Sequence, residues 1–290
     1  MRFQFIADSR DEFPVRRMCT MLGVSSSGYY AWRTRPPSAR EMANRELVEE
    51  IEAVFEESNE TYGSPRVYWK LKRQGAKCSK NRIARLMRLR GLKAKQTRRF
   101  KSTTKRNRAH PVAPNLLQRN FATKKPNEKW LTDITYISTW EGWLYLATVL
   151  DLYSRRIVGW AMSERMTDEL TLTALGMALQ RRRPDPGLVH HSDQGSQYTS
   201  DAYQAMLEGH GFQVSMNGAG TWYDNAPMES FFGTLKSECV YHVIYRTRDE
   251  ARADLFSYIE VFYNRRRLHS ALDYLSPEEY ERIFSNGNLA

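Results

Sequence analysis

The chain has 290 residues, 41% of them hydrophobic and 12% aromatic, enough for two domains and at least one sizeable core. Its net charge of +11 divides unevenly: residues 1–125 hold 29 Lys/Arg against 11 Asp/Glu, and residues 126–290 hold 15 against 22. There is no run of about 18 uncharged apolar residues and no basic-then-apolar start, so neither a membrane span nor a secretory leader is expected.

The first predicted elements are two short helices. Val15, Met18, Met21 and Leu22 share an apolar face, Gly23 stops it, and Ser25 is placed to cap a second helix carrying Tyr29, Tyr30 and Trp32. Two helices joined through a glycine suggest a helix-turn-helix over residues 1–40, ended by Pro36 and Pro37. A longer helix is predicted over Arg45 to Glu57, with Leu47, Ile51, Val54 and Phe55 on its apolar face.

The stretch "SPRVYWKLKRQGAKCSKNRIARLMRLRGLKAK" repeats the theme, which makes residues 41–100 a basic helix-turn-helix domain. Pro65 opens one helix, Gly75 closes it, and Ser79 caps the next, whose buried stripe is Ile83, Leu86 and Met87. Arg82, Arg85, Arg88 and Arg90 surround that stripe, and Lys93 and Lys95 follow. From Arg66 to Lys125 there are 21 basic residues and no acidic one. A solvated face normally mixes both signs, so the partner expected here is a nucleic acid, through its phosphates. A helix this basic suits the major groove, and a hairpin touching phosphates alone would have the same sequence. Residues 101–125 lack periodicity and read as a basic linker able to lie along DNA.

After Trp130 the pattern becomes strands. "WLTDITYIST", "GWLYLATVLDLYS" and "RRIVGWAMSE" are rich in aromatic and β-branched residues, and their short turns make them antiparallel neighbours. A helix capped by Thr167 follows, then a strand "GLVHHSDQ", a helix "SDAYQAMLEGHG" and a strand "FQVSMN". The connections are long enough for these later strands to join in parallel, giving an α/β fold with a mixed sheet over residues 126–245. A Gly-rich loop leads into a helix beginning near "MESFF". Residues 246–290 add a helix from about Asp249 to Asn264 and a short one after the capping box in "SPEEYERIF".

Three acids stand at informative places. Asp133 lies inside the first strand among Leu131, Ile134, Tyr136 and Ile137, where an unpaired carboxylate is costly. Asp193 ends the fourth strand, and Glu229 lies in the first turn of the helix after the Gly-rich loop. If the first and fourth strands are neighbours, the three meet at one edge. Their mutual repulsion would then call for hard divalent cations, and magnesium held by oxygen ligands activates a nucleophile and stabilises a leaving oxygen in phosphodiester chemistry. Of His190 and His191 only the second shares the Asp193 face, so His190 is expected to be packed and His191 to stand at most behind the ligands. Asp151 and Asp224 read as turn or capping residues. Trp222 and Tyr223 suit stacking on a base, and Arg265, Arg266, Arg267 and His269 fit either phosphate contact or a plain surface helix. Cys19, Cys78 and Cys239 lack the spacing of a zinc site or disulfide framework and read as reduced thiols.

The acids are separated by 59 and then 35 residues, and Lys236 follows Glu229 seven positions on. This spacing resembles the DDE core of retroviral integrases and bacterial insertion-sequence transposases. The words "WLTDITYI", "HSDQGSQY", "YDNAPMESFFGTLKSE" and "YNRRRLHSALDYLSPEEY" resemble the second reading-frame product of the insertion-sequence-three family, from about Pro14 to the C-terminus. The resemblance implies an RNase H-like core in which Asp133, Asp193 and Glu229 hold two magnesium ions, manganese being able to substitute. It also implies 3′-end cleavage by water followed by attack of the freed 3′-OH. Lys236, and Asn225 if the helix begins that early, would lie on the Glu229 face and meet DNA. Further implications are an upstream reading-frame partner joined by frameshifting, a homo-oligomer of at least two copies on the element's terminal repeats and target DNA, and a place in the bacterial cytoplasm on the nucleoid. Retroviral integrases carry an N-terminal zinc module. Here His110 is the only histidine before residue 190, so the DNA-reading module is expected to be helical and metal-free.

Overall fold

The computed structural model describes residues 1–95, 113–217 and 222–285. The N-terminal unit has three helices, α1 (Arg2–Asp8), α2 (Val15–Met21) and α3 (Ser26–Thr34). Gly23 takes a left-handed φ of 62° between the last two, and the Ser25 hydroxyl accepts from the Gly28 amide at 3.0 Å. Ile6, Met18, Cys19 and Tyr29 form a small core of their own. α4 (Ala39–Glu57) starts six residues before the predicted Arg45, because the Ser38 side chain caps it by accepting from the Glu41 amide. α5 (Ser64–Arg73) and α6 (Lys80–Leu89) form the predicted hairpin, with Ser79 capping α6.

Among the described residues five strands follow: β1 (Lys129–Thr139), β2 (Gly142–Asp151), β3 (Ile157–Ser163), β4 (Val189–Ser192) and β5 (Gln213–Met216). Their order is β3-β2-β1-β4-β5. The first three are antiparallel neighbours, and β4 and β5 run parallel to β1, as the strand lengths and connections predict. This is the expected mixed α/β core. One face packs under α7 (Asp168–Arg182) and α8 (Asp201–Gly209), burying Trp130, Val149, Leu175 and Tyr203. The alternate residues of β1, Leu131 and Ile137, face α9 (Ala226–Glu238) and α10 (Arg248–Phe256). Beyond α10 the helix widens into π-type turns over Ser257–Tyr263, and α11 (Pro277–Phe284) ends the described chain behind its predicted capping box.

That second face belongs to a single apolar core which also takes in Leu47, Ile51, Val67, Leu71 and Ile83 of the helical domain. Polar contacts reinforce the join. The Tyr62 hydroxyl accepts from the Leu268 amide at 2.8 Å and donates to the Arg266 carbonyl at 3.0 Å. Trp69 stacks on Tyr274 with ring centroids 5.2 Å apart, and Arg73 pairs with Glu279 at 2.7 Å. The boundaries read at residues 100 and 246 therefore mark changes of sequence character within one packed body. Of the linker, residues 101–112 lie outside the described residues. Residues 113–125 pack on the core: Leu117 is buried, and the Asp224 carboxylate accepts from the Asn115 side chain and the Arg119 amide, both at 2.9 Å. A segment bonded this way is not free to follow DNA along its whole length.

Candidate active site

Register brings the two aspartates level. In the parallel β1–β4 pair Leu131 stands opposite His191, so Asp133 and Asp193 each lie two residues beyond the last shared rung, on one side of the sheet. Each carboxylate is fixed locally. Asp133 Oδ1 accepts from the Ile134 amide at 2.8 Å, and Asp193 Oδ1 accepts from the Gly195 amide at 2.9 Å. A Cβ on Gly195 would sit 2.9 Å from that same Oδ1, so glycine here leaves room for the carboxylate, and no unusual backbone angle is involved.

Glu229 arrives on the first turn of α9, exposed. Burial, the Asp193 charge and, more weakly, the Glu229 charge push the Asp133 carboxyl up to about 8. Burial also raises Asp193, against the Gly195 amide and His191. Both carboxyls are held above their ordinary range mainly by burial, and Asp133 also by the Asp193 charge, which leaves them short of countercharge. Lys236 supplies only part of one. It is half-buried two turns along α9, its Nζ lies 4.9 Å from the Tyr136 ring centroid, and burial lowers its pKa while Asp133 raises it.

Asn225 departs from its expected role. Only 4% exposed, it stands at the N-terminus of α9 and donates from Nδ2 to Asp133 Oδ2 at 3.1 Å, so it orients a carboxylate and is too buried to meet DNA directly. Its Oδ1 is buried with no hydrogen-bond partner among the described residues. Among the described residues, no three His, Cys, Asp or Glu side chains close around a point tightly enough to grip an ion; Glu229 is exposed on its helix and close enough for its charge to act on Asp133. The donor set nevertheless fits a hard cation: oxygen ligands only, an excess of negative charge, and an orphaned amide oxygen beside them.

The neighbouring groups are structural. His190 is fully buried against Tyr203, with its pKa lowered to about 3 by burial. His191 spends both ring nitrogens on Ser215 and Asn217, each at 2.8 Å. Asp151 accepts from the Asn127 and Tyr153 amides and pairs with Arg182 at 3.0 Å. The Trp222 and Tyr223 side chains lie outside the described residues.

Of the predicted DNA contacts, Arg85, Arg88 and Lys93 are exposed and form no ion pair among the described residues. Arg82 is tied to Asn44 and the Ala43 carbonyl at 2.9 and 3.1 Å, Arg90 pairs with Glu52 at 3.1 Å, and the Lys95 amide donates to the Glu60 carbonyl. The "RRRLH" run divides in the same way. Arg265 is a surface residue paired with Glu278. Arg267 is buried in a two-pronged bond to Glu238, 2.7 Å on each side, which also receives the Tyr258 hydroxyl and Arg66. His269 packs edge-on against Tyr263. This network clamps the C-terminal end of α9 to the helical domain. Arg267 and Glu238 are 29 positions apart with no pattern joining them, so sequence reasoning missed the pair.

Family models match three stretches of the chain: an integrase core domain over residues 123–221, an HTH-like domain over 42–100, and a second integrase core model over 229–283. The chain is 43% identical over 293 aligned residues to the transposase InsF for insertion sequence IS3A of Escherichia coli (strain K12), covering 100% of both chains. It belongs to the IS3 family of transposases. This IS3-family chain is also 48% identical to the insertion element IS600 uncharacterized 31 kDa protein of Shigella sonnei, over 92% of this chain and 98% of that one. Among solved structures it is similar to the simian T-cell lymphotropic virus intasome in complex with PP2A regulatory subunit B56 gamma. That match has a TM-score of 0.47 at 14% identity and covers 73% of this chain and 69% of the other. The HTLV-2 integrase catalytic core domain in complex with magnesium matches with a TM-score of 0.41 at 15% identity, over 54% of this chain and 97% of that one. No helix among the described residues is long and apolar enough to cross a membrane.

Proposed function

We propose that this transposase cuts the 3′ ends of its insertion sequence and joins them to new DNA at Asp133, Asp193 and Glu229, acting with two magnesium ions, for which manganese can substitute. The supporting observation is the convergence of two level aspartates on adjacent parallel strands with Glu229 and Lys236 presented by one helix. When bound, a pair of divalent cations neutralises the attacking and leaving oxygens of an in-line displacement.

The remaining work falls to the chain. Asp133 and Asp193 hold anionic oxygens in place through the Ile134 and Gly195 amides, and Asn225 fixes the outer oxygen of Asp133. Lys236 binds the phosphate next to the scissile bond, and the exposed face of α6 with Arg85, Arg88 and Lys93 holds flanking phosphates. Water is the first nucleophile and the freed 3′-OH the second, so no covalent enzyme intermediate is required. Joining two element ends needs at least two copies of the chain on DNA, together with the upstream reading-frame protein or its frameshift fusion. The test is to incubate the protein, together with the upstream reading-frame protein or as the frameshift fusion, and magnesium with duplexes carrying the element ends and resolve the strands. Cut and joined products are expected. Cut strands alone would indicate a nuclease, and bound but uncut DNA a regulator without chemistry.

A further inference from the structure

The far end of the β1–β2 hairpin exposes aromatic rings that the core does not use. Tyr136 is 50% exposed, Trp143 49% and Trp140 71%. Tyr136 and Trp143 meet edge to face with centroids 4.9 Å apart. Cations already lie on these rings: Lys236 Nζ on Tyr136 at 4.9 Å and Arg246 Cζ on Trp140 at 5.7 Å. The acids bordering the patch, Glu141 and Glu164, are both engaged by Arg248, at 2.8 and 3.4 Å.

We infer that this hairpin end is a stacking platform for unpaired bases of a DNA strand whose phosphate lies at the carboxylate site. Flat rings flanked by cations match the two surfaces of a nucleotide, since the base stacks on the ring and the phosphate meets the cation. Position supports the same occupant. Tyr136 lies three residues beyond Asp133 on one strand, roughly 10 Å at about 3.3 Å per residue, and Trp140 roughly 23 Å beyond it. Alternation puts the Tyr136 side chain on the other side of β1 from Asp133, so a strand leaving the scissile phosphate would pass Lys236 and turn over β1 to reach the platform. Lys236 is common to both places, because it faces Asp133 and caps the Tyr136 ring. Val243 and Ile244, exposed in the neighbouring segment, make a second copy of the chain the competing occupant.

The inference rests on the proposed DNA strand at Asp133, and the experiment separates the two. Fluorescein-labelled oligothymidylate of twenty nucleotides is titrated with the full-length protein in EDTA and followed by anisotropy, for wild type, W140A/W143A, W140F/W143F and D193N. The alanine pair is expected to weaken oligothymidylate binding at least tenfold, with circular dichroism and duplex binding unchanged. The phenylalanine pair should bind within about threefold of wild type. D193N, which under the proposed function loses cleavage, should still bind oligothymidylate, so failure of the metal assignment and failure of the platform give different results. Unchanged affinity in W140A/W143A overturns the inference, and so does an altered sedimentation coefficient in that variant, which would assign the patch to self-association.

Discussion

Replacing Arg267 with methionine should unfold the protein at a markedly lower temperature. Arg267 and Glu238 have side chains 5% and 6% exposed and bond at 2.7 Å. Without the guanidinium, the Glu238 carboxylate keeps the Tyr258 hydroxyl at 2.9 Å and Arg66 at a longer 3.4 Å. Breaking a buried pair by removing one partner costs about 3–5 kcal/mol. Because Arg66 stays within reach and is partly solvated, the lower end, about 3 kcal/mol, is expected. That is a large share of a total stability of about 5–15 kcal/mol. At about 2–4 °C per kcal/mol for a chain somewhat shorter than this one, the melting temperature should fall by roughly 6–12 °C, read by scanning calorimetry with urea melts as a check. E238Q/R267M removes both charges, keeps an amide oxygen for the Tyr258 hydroxyl and Arg66, and should recover part of the loss. A single variant within about 2 °C of wild type, or a double variant no better than the single, would refute the view that an uncompensated charge is what destabilises.

Asp133, pushed up to about 8, has a folded pKa above its unfolded value, so the stability of the metal-free protein is lost as pH rises toward 8. Between pH 6 and 8.5 the stability difference between D133N and wild type in EDTA should move by about 3 kcal/mol in favour of the variant; urea melts across that range that stay parallel would sink the assignment. G159A should cost about 1–3 kcal/mol, because a Cβ there meets the Ala174 carbonyl at 2.2 Å and the Ala178 amide nitrogen at 2.8 Å, and an unshifted melting curve would contradict it. R85A/R88A should weaken duplex binding and reduce the slope of log K against log salt by about 2. R82A, whose guanidinium is tied to α4, should act on stability instead; equal binding losses from both would show that the two arginine classes do not differ.

Much of this architecture can be read from the sequence because it depends on local chemistry. Strands rich in aromatic and β-branched residues with short links dictate the antiparallel meander, and the Ser25, Ser79 and Ser276 caps mark helix starts by residue type alone. The carboxylates stand out because an acid inside an apolar strand needs a reason. Long-range pairing is what stays hidden. α1 has neither a side-chain cap nor an acidic first turn, and it is held by Ile6 entering a core that α2 and α3 supply. Arg267 looks like one of three surface arginines until folding brings Glu238 to it. Asn225 looks like a helix-face residue until Asp133 turns out to be its partner. Charge runs likewise cannot show which arginines are spent internally, as Arg82 and Arg90 are on α4.

If three carboxylates act together with divalent cations, magnesium-dependent strand cleavage by D133N, D193N and E229Q on duplexes carrying the element ends reads their joint role directly. Each substitution should lower cleavage and joining at least about a hundredfold while duplex binding in EDTA stays near wild type. Any one of the three variants cutting at close to the wild-type rate with unchanged magnesium dependence would contradict it.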